Sequence, residues 1–200
     1  MVTAAIHRLV EQHAAARGDT LAIIDTGRPV TYRELNNRAN GIARELMTAG
    51  LRRGGHATVR MERGADLAIV LLAVLKAGAS YTWVDAARGG DWPAGVSIRV
   101  GASGHEERYL TVDMSRPLRQ PLQTSPNLPV LTRGSDTACV LRRDGAIVLV
   151  PHATIAGLHS RSVARTTTWS HGEGALDLWP ALITGAMLTV GEEAAAVAAA

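Results

Sequence analysis

A chain of 200 residues with 21 basic and 18 acidic side chains and one cysteine is one domain, or at most two small ones, and is long enough to bury a core without staples. Its 46% apolar and 20% charged residues describe a soluble globular protein, and the lone Cys139 excludes an intramolecular disulfide framework and a multi-cysteine metal site. The formal charge of +3, the scattered arginines and the absence of phenylalanine argue against nucleic acid, which needs a basic footprint or stacking aromatics. The longest apolar run, Leu67–Ala77, is too short to span a bilayer and carries Lys76. Residues Met1–Val10 lack a signal-peptide core, so the expected location is the cytoplasm.

Ile6, Leu9, Val10, His13 and Ala14 share one face of a helix that stops at Gly18. A hairpin follows: strand Leu21–Asp25, turn Thr26–Gly27, return Arg28–Tyr32. Thr31 and Glu34 have capping-box spacing, which predicts a helix start. Leu35, Ala39, Ile42 and Leu46 then recur at helical spacing up to Gly50. Ala57–Met61 reads as a strand, Ala65–Ala77 as a very apolar helix ending at Gly78, and Ser80–Val84 as a further strand. This alternation predicts an α/β fold with a mostly parallel sheet and crossover helices.

The middle of the chain has no strong helix period. Val96–Gly101 and Arg108–Val112 read as strands, and Ser115–Arg133, with Pro117, Pro121, Pro126 and Pro129, as an extended surface connection. Ala138–Leu141 and Ala146–Val150 flank Arg142-Arg143-Asp144-Gly145, where Asp-Gly signals a hairpin. Helices are expected over Ala153–Arg165 and Ala175–Thr184, the second stopped by Gly185, then a strand Met187–Val190. The tail, residues 191–200, is Ala-rich.

Three stretches carry a resemblance. They are Gly18-Asp19-Thr20-Leu21-Ala22 with Val30-Thr31-Tyr32-Arg33-Glu34-Leu35-Asn36; Val74-Leu75-Lys76-Ala77-Gly78-Ala79-Ser80-Tyr81 running into Val84-Asp85; and Leu178-Trp179-Pro180-Ala181-Leu182-Ile183-Thr184-Gly185-Ala186. Together they resemble the N-terminal subdomain of adenylate-forming enzymes, most closely the adenylation domains of nonribosomal peptide synthetases. Val150-Pro151-His152 resembles the segment after that family's phosphate loop. The likeness makes residues 1–190 one truncated adenylation-like domain: 1–85 well matched, 86–135 a shortened connection with one helix reduced or absent, 136–190 degenerate. In the family the two early motifs are architectural. The resemblance therefore implies that Tyr32 and Leu35 pack a helix onto a sheet and that Gly78 ends a helix against a strand.

The chemistry implied by the family is where this chain departs. Carboxylate activation by ATP needs backbone N–H groups around the phosphates and a Lys. The family supplies them in a Thr-Ser-Gly-Thr-Thr-Gly-x-Pro-Lys-Gly run, and the matching place here is Val140–Ile147, with a tight turn instead. Arg142 and Arg143 are cationic, but Asp144 beside them repels an anion, so a solvated turn is expected. At Ser170-His171-Gly172-Glu173, amino-acid-activating members place a Phe-Asp pair whose carboxylate holds the substrate ammonium. Here His171 and Gly172 align with that pair, and a slip of one would bring in Glu173. The family's adenine and ribose motifs and its C-terminal lid come after the matched region.

Other candidates read as structural. His152 and His159 stand seven apart, but with His171 they lack a carboxylate or thiolate at ligand spacing, so surface or capping roles are expected and no metal. Cys139, in an apolar strand, is expected to be a buried thiol. Gly101-Ala102-Ser103-Gly104 is too weak for a nucleotide site. No catalytic, cofactor or metal residue is therefore expected. The functional expectation is a catalytically inactive adenylation-like protein that binds or scaffolds within natural-product biosynthesis. The alternatives are half of a split adenylation enzyme, or a residual small-molecule-binding enzyme with a remodelled pocket. The implied partner is an MbtH-like protein, a synthetase or tailoring enzyme of the same pathway, or a second copy in a homodimer. It is expected to cover an apolar face or open strand edge around Ala138–Leu141, Ala146–Val150 and Met187–Val190.

Overall fold

In the computed structural model the described residues are 5–26, 28–86, 95–100, 108–112, 125–143, 146–158, 166–169 and 176–190. In chain order the elements are α1 (Ile6–Arg17), β1 (Leu21–Asp25), β2 (Arg28–Thr31), α2 (Tyr32–Thr48), β3 (His56–Met61), α3 (Ala65–Lys76) and β4 (Ser80–Asp85). They continue with β5 (Gly95–Val100), β6 (Arg108–Val112), β7 (Thr137–Arg143), β8 (Ala146–Pro151), α4 (His152–Gly157), β9 (Thr166–Trp169), α5 (Trp179–Thr184) and β10 (Met187–Val190). They group into two compact units. One holds residues 1–36, 133–135 and 152–200, the other 37–132 and 136–151.

The first unit is built on a four-stranded sheet in the order β2-β1-β10-β9. Its hairpin is antiparallel, while β1–β10 and β10–β9 are parallel. α1 buries Ile6, Val10 and Ala14, the stripe that its 3.6-residue period predicts. The Glu34 N–H donates to Thr31 Oγ1 at 3.2 Å, so the capping residue starts α2 as expected. Tyr32 is fully buried. Its hydroxyl donates to Ala186 O at 2.8 Å and lies 3.2 Å from Leu182 O. His13 Nε2 donates to Ile183 O at 2.9 Å, and the Thr184 hydroxyl donates to Pro180 O at 2.8 Å. The end of α5 is thus held by side chains from α1 and α2, and Gly185 closes it at φ 79°.

The second unit is a six-stranded sheet in the order β6-β5-β3-β4-β7-β8. Pairing is parallel at its centre, β3–β4 and β4–β7, and antiparallel at β3–β5, β5–β6 and β7–β8. α3 joins β3 to β4 as a crossover and packs on both. Every residue of α3 except Asp66 is buried, and so is the remainder of α2 at Ala39, Ile42, Ala43 and Leu46. Gly78 ends α3 at φ 76°; a Cβ there would lie 2.7 Å from Val130 Cγ1, so both the turn and the close approach need glycine.

The α/β expectation holds, with refinements. Parallel pairing occupies the centre of the six-stranded sheet and runs out to the β9 edge of the four-stranded one, while β2, β6 and β8 are antiparallel edges. α2 is not a crossover within one sheet, because β1 and β3 belong to different sheets. The described part of the proline-rich connection does not simply run over the surface: Leu128 is buried, and Asn40 Nδ2 donates to Ser125 O at 2.7 Å and to Asn127 Oδ1 at 3.0 Å. β10 is no open edge, since β1 and β9 flank it and Leu188, Thr189 and Val190 are buried. β7 is also interior, leaving β8 as the edge. Within the described residues the last predicted helix is confined to Trp179–Thr184, and the region 159–165 lies outside them.

Candidate functional site

Two strands decide the geometry where a phosphate loop would lie. β7 and β8 pair in unbroken register through Leu141↔Val148, Arg142↔Ile147 and Arg143↔Ala146. Positions 144 and 145 alone are left to connect them. A phosphate-cradling loop needs several consecutive N–H groups released from pairing, whereas here the strands stay laddered to the last residue before the connection. Asp144 and Gly145, and the Ser170–Glu173 stretch with His171, lie outside the described residues, as does His159.

The remaining sequence candidates are internal. His152 is buried, so of the surface and capping roles expected the surface one is excluded. Its Nδ1 accepts the Ile6 N–H at 3.3 Å, and its ring meets His7 edge-on with centroids 5.9 Å apart. The bond from Ile6 places the proton of the neutral ring on Nε2. Cys139 is buried as expected, and burial, partly opposed by a hydrogen bond from Tyr81, pushes its thiol up to about 12. It is therefore protonated and unreactive at neutral pH. Among the described residues no group of three metal-ligating side chains comes together.

The chemistry-bearing side chains that do converge were not singled out in the sequence. His56 begins β3 and stands in register with Ser80 of β4; Thr58 stands opposite Thr82. Alternation sends Ala57, Val59 and Tyr81 toward α3, all fully buried, and leaves His56, Thr58, Ser80 and Thr82 half-buried on the other face. His56 Nδ1 lies 2.9 Å from Ser80 Oγ and its Nε2 3.2 Å from Thr82 Oγ1. The Thr82 hydroxyl donates to Val140 O at 3.1 Å, so it accepts from the ring at Nε2–H. With Nε2 carrying the proton, Nδ1 is the acceptor for the Ser80 hydroxyl, whose Oγ also lies 3.2 Å from Gly55 O, the carbonyl that accepts the Ser80 N–H at 3.0 Å. These side chains floor a groove of about 510 Å³ whose walls are Val140 and Leu141 of β7 and Ile147 and Leu149 of β8. A serine within 3 Å of an imidazole has the spacing of an activated nucleophile. The far nitrogen, however, meets a hydroxyl, and among the described residues no carboxylate lines the groove. The network is a satisfied floor rather than a catalytic relay.

Residues 10–95 match the family model described as AMP-binding enzyme. The chain is 28% identical to surfactin synthase subunit 2 of Bacillus subtilis (strain 168), over 92% of this chain and 6% of that one. It is 41% identical to tyrocidine synthase 1 of Brevibacillus parabrevis over 40% of this chain and 7% of that one. The N-terminal subdomain of NpsA from Klebsiella oxytoca superposes at a TM-score of 0.74 with 22% identity, covering 98% of this chain and 59% of the other. The chain thus spans a small fraction of its curated relatives and somewhat over half of the solved subdomain. With its AMP-binding match and this architecture, it is adenylation-domain-like, related to the adenylation domains of nonribosomal peptide synthetases and folded as part of their N-terminal subdomain.

Proposed function

We propose that this chain is a non-catalytic adenylation-like module of nonribosomal peptide or related natural-product biosynthesis, working in the cytoplasm through a protein partner. The reading takes residues 1–190 as one adenylation-like region with residues 191–200 as a tail, and assigns no catalytic, cofactor or metal residue. One observation carries it: β7 and β8 remain paired to Arg143 and Ala146, leaving two positions where the family's phosphate loop runs. Partners consistent with the reading are an MbtH-like protein, a synthetase or tailoring enzyme of the same pathway, and a second copy. Among the described residues no helix is long and apolar enough to cross a membrane.

The test is ATP–pyrophosphate exchange with the purified chain across amino and aryl acids. No exchange is expected; robust exchange lost on changing Arg142 and Arg143 to Ala overturns the reading. A thermal-shift screen with ATP, AMP and amino acids is expected to show no stabilisation, since a ligand bound to the native state raises stability by mass action. A second reading, half of a split adenylation enzyme, is favoured by the match of 98% of the chain to a solved subdomain. Exchange restored only by adding a partner chain selects it.

A further inference from the structure

We draw no further inference here: the strongest candidate, the apolar patch of Ile147 and Leu149 on edge strand β8 beside the groove floored by His56, Ser80 and Thr82, carries nothing because nothing in the structure shows what covers it.

Discussion

Removing one oxygen from Tyr32 tests how the first unit is held together. The ring is fully buried, and the hydroxyl reaches the carbonyl of Ala186 at 2.8 Å, with Leu182 O at 3.2 Å and Ala181 O at 3.5 Å. Ala181 O keeps another donor, the N–H of Ala186 at 3.0 Å. In Tyr32→Phe the carbonyls of Ala186 and Leu182 would face a ring edge instead. Leaving a buried acceptor without its donor costs about 1–3 kcal/mol. In a chain of this size each kcal/mol moves the melting temperature by about 2–4 °C, so a drop of several degrees is expected at pH 7 by calorimetry.

The pH dependence sharpens the test. Burial raises the Tyr32 phenol above its ordinary value, opposed by the nearby charge of Arg17. A group whose folded value is raised contributes stability that is complete below its unfolded value, about 10 for tyrosine, and is lost as pH rises beyond it. The phenylalanine variant has no such titration. The stability gap between the two proteins should therefore narrow above about pH 10. Equal melting temperatures at pH 7, or a Tyr32 phenol that ionises near its ordinary value in the folded protein, would refute this account of the pin.

Leu72 is fully buried in α3, so Leu72→Ala should cost about 2–5 kcal/mol in denaturant unfolding; a loss well under 1 kcal/mol, on the order seen at surface sites, would mean that the helix face is not packed. Gly78 and Gly54 share nearly the same left-handed φ, 76° and 77°, but a Cβ meets Val130 at 2.7 Å only at Gly78. Gly54→Ala should therefore cost about 1–2 kcal/mol of backbone strain and Gly78→Ala measurably more, and equal losses would remove Val130 from the explanation. Cys139, lifted from its ordinary 9.0 to about 12, contributes stability that is intact below 9.0 and fades toward about 12. A thiol reagent at pH 8 should label it only on unfolding, and rapid labelling of the native protein would contradict its burial.

Residues 6–85 are legible because their signals are local. A threonine three residues before a glutamate, glycines at left-handed stops and leucines at helical spacing each act within a few residues, and Leu35, Leu46, Leu71, Leu72 and Leu75 are all fully buried. The departures are long-range. Nothing in the Tyr32–Thr48 pattern says that the strands on either side of α2 belong to different sheets. β10 reads as a candidate edge because its outer neighbour, Thr166–Trp169, is four residues long and lacks apolar alternation. His152 gives no local sign of burial because its partner, the Ile6 N–H that opens α1, is 146 positions away. Leu128 sits among prolines that signal a surface connection, yet it is buried where the Asn40–Asn127 hydrogen bond holds its segment to α2.

The groove floor shows what a sequence pattern can and cannot say about a site. His56-Ala57-Thr58-Val59 and Ser80-Tyr81-Thr82 alternate polar with apolar, the pattern of a half-solvated sheet. Fully covered parallel strands instead tend toward continuous apolar runs. Taken alone, the alternation points to a face left in water. The register adds which polar groups meet on that face. With His56 opposite Ser80 and Thr58 opposite Thr82, one imidazole meets two hydroxyls across the β3–β4 step, and Thr82 passes its proton on to β7. A polar face that satisfies itself across three strands loses little when water leaves, because desolvation is costly chiefly for groups left without partners. Pairing of His56 with Ser80, 24 positions apart, is fixed by where α3 ends and β4 begins, and Gly78 sets that point. The architectural glycine of the family-like motif and the polar cluster around His56 are thus consequences of the same turn.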